Sequence, residues 1–120
     1  MAARSPLLEH LVDQLAAVGS ARGRAMFGGH GLYLDGLITG IVVDETLYLK
    51  VDEANRADYE AAGMRAFRYE KSGRTVATSY WEVPSDVVEE PESLRAWTMR
   101  AHAAARRGTH AKVRRAVPRP

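Results

Sequence analysis

Gly28-Gly29-His30-Gly31 is the first segment whose composition suggests chemistry, because the backbone N–H groups of a glycine-rich loop can cradle a phosphate. Such a loop needs a helix behind it and usually a lysine for the outer phosphates. Here Leu32-Tyr33-Leu34 continues as a strand, and no Gly-Lys-Ser/Thr follows. The dinucleotide fingerprint also fails, since Leu34 stands where its last glycine belongs. A tight turn or bulge is the better reading. His10, His30, His102 and His110 are scattered without metal-ligand spacing, and there is no cysteine. Ser79 lies inside a strand pattern, not on a Gly-x-Ser-x-Gly elbow. Asp35, Asp44, Glu45, Asp52 and Glu53 fall at turns or a helix start, where carboxylates shape turns and cap helices. Lys50 is an activated amine only if buried, and otherwise a solvated charge on the sheet. No catalytic set, metal site or cofactor emerges.

Two groups remain as candidates for binding. Tyr33, Tyr48, Lys50, Tyr80 and Trp81 would form an amphipathic patch for a protein partner if the sheet leaves part of one face uncovered. The competing reading places the rings between sheet and helices. It is preferred for Trp81, Phe27 and Trp97, and Tyr48 and Tyr80 stay open between the two. The second group is Arg106, Arg107, Lys112, Arg114, Arg115 and Arg119, six of the 17 basic residues within the last fifteen positions. No acid accompanies them, whereas residues 1–105 carry 11 basic against 15 acidic side chains. This segment could make salt-sensitive contacts to nucleic-acid phosphates, or simply solubilise the chain; it lacks interleaved aromatic rings for base stacking.

The elements that must position these residues follow from periodicity. Ser5-Pro6 reads as N-cap and first helical residue, and Leu7, Leu8, Leu11, Val12, Leu15 and Val18 recur on one face up to a left-handed stop at Gly19. Arg24–Phe27, Leu32–Leu34, Leu37–Val43 and Leu47–Val51 read as strands, with Asp35-Gly36 as a hairpin turn. Asp52 is the expected N-cap of a second helix ending at Gly63, with Ala54, Ala57 and Ala61 as its packing stripe. Two strands flank Ser72-Gly73, Pro84 ends the second, and a last helix runs from Pro91 to Gly108 on the stripe Leu94, Trp97, Ala101, Ala104 and Ala105. The order α-β-β-β(-β)-α-β-β-α implies an α+β fold, an antiparallel sheet of five or six strands with flanking helices. Residues 1–105 form one domain, and 106–120 a basic, disordered tail.

Composition limits the classes. Of 120 residues, 46% are hydrophobic and 27% charged, as in an ordinary globule with enough apolar content for a core. Without cysteine there is no disulfide framework or thiolate nucleophile. Apolar runs are too short for a bilayer, and no signal peptide is legible, so a cytoplasmic location without membrane contact is expected.

Arg24-Ala25-Met26-Phe27-Gly28-Gly29, Gly31, Tyr33 and Asp35-Gly36 resemble the opening signature of the TfoX N-terminal domain family. Leu47–Asp52, Gly63, Phe67-Arg68-Tyr69, Ser79–Pro84 and Leu94-x-x-Trp97 are similar to its later blocks, in the same order. Thr39 and Thr78 depart from the pattern, which often has an aromatic residue and a methionine there. The resemblance implies a fold similar to the type III secretion chaperone-like class and kinship with TfoX/Sxy regulators of natural competence. Those regulators promote transcription of DNA-uptake genes alongside the cyclic-AMP receptor protein. They carry a second, C-terminal domain, where this chain has its basic tail. The leading expectation is a non-enzymatic regulatory adaptor that contacts a protein partner such as a transcription complex, with homodimerisation over an exposed edge or aromatic face. The alternatives are nucleic-acid binding through the tail, and a small-molecule or enzymatic site in the Gly28–Asp35 region beside Lys50.

Overall fold

In the computed structural model, residues 5–26 and 28–116 are described, with side chains through Thr109. Phe27 and Arg119 lie outside the described residues, as do the side chains of Lys112, Arg114 and Arg115. The elements are α1 (Pro6–Leu15), β1 (Ala21–Met26), β2 (Gly29–Leu34), β3 (Leu37–Val43), β4 (Thr46–Lys50), α2 (Arg56–Ala61), β5 (Ala66–Lys71), β6 (Arg74–Glu82), α3 (Ser85–Glu89) and α4 (Pro91–Ala116). The strands make one six-stranded antiparallel sheet in the order β1-β2-β3-β4-β6-β5, so the α+β expectation holds.

The sheet is built by tight turns. Asp35 and Gly36 both adopt positive φ (51° and 80°), as do Asp44 and Glu45 (51° and 54°) and Ser72 and Gly73 (52° and 77°). This is the twist that two-residue hairpins require. Asp35 Oδ1 also accepts from the Ser20 N–H at 2.8 Å, which holds the β2–β3 turn against the start of β1. Thr39, one of the departures from the family pattern, is fully buried and donates to the Leu37 carbonyl at 3.0 Å. It occupies the register shift that sets Gly40 opposite Leu32 and Ile38 opposite Tyr33.

Because cross-strand partners share a face, the registers sort the sheet into two sides. Leu32, Val42, Leu47, Leu49 and Trp81 point to one side, where α1, α2, α3 and α4 close the core through Leu11, Leu15, Tyr59, Val87, Leu94 and Ala101. Trp81 and Trp97 pack there against Tyr59 at ring-centroid distances of 6.2 and 4.7 Å.

Four local expectations are corrected. Helix α1 stops at Leu15 with Ala16 as its C-cap, and Gly19 is not left-handed. Gly19 instead marks a close approach, since a Cβ there would sit 3.0 Å from the Asp35 carboxylate and from Leu34. The N-cap of α2 is Asn55, not Asp52, and Ala54, Ala57 and Ala61 are exposed while Tyr59 carries the packing. A single large ring fills the gap that the alanine stripe was expected to close. Between Pro84 and Pro91 the chain forms α3, which no periodic signal announced. Finally, α4 passes Gly108 without a break, so residues 106–116 are helical. Arg107 supports this continuation through a two-point ion pair with Asp52, Nε–Oδ2 2.7 Å and Nη2–Oδ1 3.0 Å.

Candidate functional site

Among the described residues no helix packs across the other side of the sheet, which α4 only borders. From β1 it presents Arg22, Arg24 and Met26; from β2, Tyr33; from β3, Ile38 and Ile41; and from β4, Tyr48 and Lys50. Hairpin β5–β6 adds Phe67, Tyr69, Lys71, Arg74, Thr78 and Tyr80. Met26 of one edge strand and Tyr69 and Lys71 of the other line the same groove, of about 580 Å³, together with His30, Ile41, Phe67, Thr78 and Tyr80. The sheet is therefore curled, its two edges facing each other across a concave apolar floor. A second hollow of about 700 Å³ lies along β1, lined by Arg22, Arg24 and Tyr33.

Tyr33, Tyr48, Lys50 and Tyr80 thus fall on one face, as the patch reading required. Trp81 does not share it: alternation along β6 turns its ring to the helical side. Tyr48 packs edge-on against Phe67 at 4.9 Å, and burial, followed by the charges of Glu82 and Asp44, raises its phenol above the ordinary range. Burial does the same to Tyr80, with Tyr33 adding to it. Lys50 donates to Ser79 Oγ at 2.6 Å and lies 5.4 Å from the Tyr80 ring centroid, so its position is fixed by a hydroxyl and a ring. Thr78, the other departure, donates to the Phe67 carbonyl at 2.9 Å and ties β6 to the irregular start of β5.

The Gly28–Asp35 segment has a structural explanation. A Cβ on Gly29 would lie 2.5 Å from the Val42 carbonyl oxygen, so glycine permits strand approach there. The turn carboxylates act as staples. Glu45 accepts from Ser5 Oγ and from the Leu7 N–H at 2.9 Å, and these two bonds, Ser5 first, hold its carboxyl below the usual range. Asp52 is lowered chiefly by Arg107. Among the described residues no group of three or more histidines and carboxylates could hold a metal ion.

Sequence reasoning missed Arg22, Arg24, Met26, Ile41, Phe67, Tyr69, Lys71 and Arg74 as members of this face. The signal was available in Arg22-x-Arg24-x-Met26 and Phe67-x-Tyr69-x-Lys71, whose alternation needs only a register to become one surface. Arg106 and Arg107 are exposed on α4. Ala105, Gly108 and Thr109 share a small hollow with Ile38, Lys50 and Tyr80, so α4 leaves the globule at the rim of the uncovered face.

The fold is thus a helix-backed antiparallel sheet with one bare, aromatic and basic side. The chain belongs to the TfoX N-terminal domain family, which matches residues 13–105. It is 28% identical over 90 residues to the DNA transformation protein TfoX1 of Aliivibrio fischeri (strain ATCC 700601 / ES114). That alignment covers 75% of this chain and 43% of TfoX1, so the chain spans less than half the length of this relative. The family is one of competence regulators and not a known class of enzyme. Among the described residues no helix is long and apolar enough to cross a membrane.

Proposed function

We propose that this chain is a non-catalytic regulatory domain of the competence-regulator type, acting by contact with a macromolecular partner in transcription control. The observation that carries this reading is the uncovered sheet face, where half-buried rings and cations are held in place by Ser79, Phe67 and the curl of the sheet. Family membership and the likeness to TfoX1 supply the regulatory context.

The test is genetic. Deleting the gene in its native host should change transcript levels of DNA-uptake genes, and wild-type chain should restore them. A Tyr48→Ala/Tyr80→Ala chain that keeps its circular dichroism spectrum should not. Full restoration by that folded variant would refute the contact reading.

A further inference from the structure

We infer that the partner of the uncovered face is a single-stranded polynucleotide; this rests on the contact reading above. Three observations point to it. First, charge is segregated. Residues 1–105 hold more acids than bases, yet the strand residues on the bare face include Arg22, Arg24, Lys50, Lys71 and Arg74 against one acid, Glu82. Arg22, Arg24, Lys71 and Arg74 have no ion-pair partner among the described residues. Cations kept unpaired in an acidic domain are complementary to a polyanion.

Second, the cations flank rings. Tyr33 on β2 is paired with Arg22 and shares a hollow with Arg22 and Arg24, while Tyr69, 43% exposed, stands on β5 two residues before Lys71. Rings set between cations on an antiparallel sheet allow bases to stack while phosphates meet the charges. Third, the groove of about 580 Å³ is lined mainly by apolar and aromatic side chains, which suit unstacked bases, whereas a duplex keeps its base faces stacked and offers phosphates and groove edges. Helix α4 passes the rim of this face at Ala105, Gly108 and Thr109.

The experiment is fluorescence anisotropy of labelled 20-nucleotide oligo(dT) and oligo(rU) titrated with the full chain. Contacts to about four phosphates predict a log–log salt slope near −3, or roughly 50-fold weaker binding at 200 mM than at 50 mM salt. Arg22→Glu/Arg24→Glu and Lys71→Glu/Arg74→Glu should each weaken binding at least tenfold, and Tyr69→Ala about tenfold. Arg68→Glu, on the opposite side of the same strand, should leave it unchanged, with thermal melts confirming that every variant is folded. Lys112→Ala/Arg114→Ala/Arg115→Ala should weaken binding without abolishing it. Tighter binding to a duplex of equal length, an Arg68→Glu loss equal to the others, or abolition by the α4 triple variant would each overturn the inference. So would wild-type chain that binds neither oligonucleotide at 50 mM salt. If Tyr48→Ala/Tyr80→Ala still lost regulation in that last case, the contact reading would stand with a protein as partner.

Discussion

Tyr59→Phe should stabilise this domain, because the Tyr59 hydroxyl is buried with no hydrogen-bond partner among the described residues. The residue is 1% exposed, and its ring is held by Trp97 and Trp81 at 4.7 and 6.2 Å, contacts that phenylalanine keeps. Burying a hydroxyl without a partner costs about 1–3 kcal/mol, so its removal should gain about 1 kcal/mol at pH 7, or roughly 4 °C in Tm. A second signature follows from ionisation. Burial pushes the Tyr59 phenol well above the ordinary tyrosine range, with a smaller opposing effect of Arg100 and a raising one of Asp58. A group with a raised native pKa contributes its full stability below its unfolded pKa, near 10, and loses it as pH rises towards the native value. At pH 11 the wild type should therefore have lost about 1.4 kcal/mol through Tyr59 alone, a loss the phenylalanine variant escapes. Tyr48 and Tyr80 are raised as well, and their decline is common to both proteins. Urea denaturation at pH 7 and 11, followed by far-ultraviolet circular dichroism, reads both effects. A variant weaker than wild type by more than about 0.5 kcal/mol at pH 7 would show that the hydroxyl is satisfied. Equal alkaline losses would refute the ionisation argument.

Other outcomes can be checked in the same way. Gly40→Ala should cost roughly 1–3 kcal/mol in urea denaturation, because its Cβ would lie 2.7 Å from the Tyr48 carbonyl oxygen and 2.9 Å from Leu49 Cδ2. Ser5→Ala should cost about 1 kcal/mol through loss of the cap on the Leu8 N–H, seen as a lower denaturation midpoint. Glu45 should contribute stability that is present above the ordinary carboxylate pKa and lost as pH falls through its lowered native value, so Glu45→Gln should flatten the acid limb of a pH–stability profile. Arg107→Gln should lower global stability by at most about 1 kcal/mol, because the pair with Asp52 is half-exposed. Amide exchange beyond Ala105 should nevertheless quicken, since this pair ties the end of α4 to the segment after β4.

What was legible in the sequence was whatever short-range physics decides. Ser5-Pro6, the Leu11/Leu15 face, Asp35-Gly36, Ser72-Gly73 and the stripe of α4 each declare their roles within a few residues. What failed was decided at long range. Asp44-Glu45 was legible as a turn, but not the two bonds that tie Glu45 to Ser5 and Leu7, about forty residues earlier in the chain. Tyr59 displaced the alanine stripe because two tryptophans from β6 and α4 enclose it. Gly108 was read as a stop because the apolar stripe ends there, but the pair from Asp52 sits on Arg107, just before it. The candidate site was half legible: Tyr33, Tyr48, Lys50 and Tyr80 were recognised as individual residues. Their union with β1 and β5 depended on a register and a curl that no single strand encodes.

The distribution of charge ties the fold to its use. Asp58, Glu60, Asp86, Glu89, Glu90 and Glu92 all lie on or beside the helices behind the sheet, and Asp58 pairs there with Arg100 at 2.9 Å. Folding therefore sets these acids on the helical side, alongside Arg56, Arg95 and Arg100, while the charged strand residues of the bare front face are basic but for Glu82. Folding stability does not require this arrangement, because surface charges contribute little wherever they sit. It does orient the domain as a charged partner approaches, an effect that fades beyond a Debye length of about 10 Å at 0.1 M salt. Helix α4 borders the front at Ala105, Gly108 and Thr109, beside Ile38, Lys50 and Tyr80. A partner with negative charge would meet the cations before the rings, so front-face charge reversals should slow its association more than they speed its release.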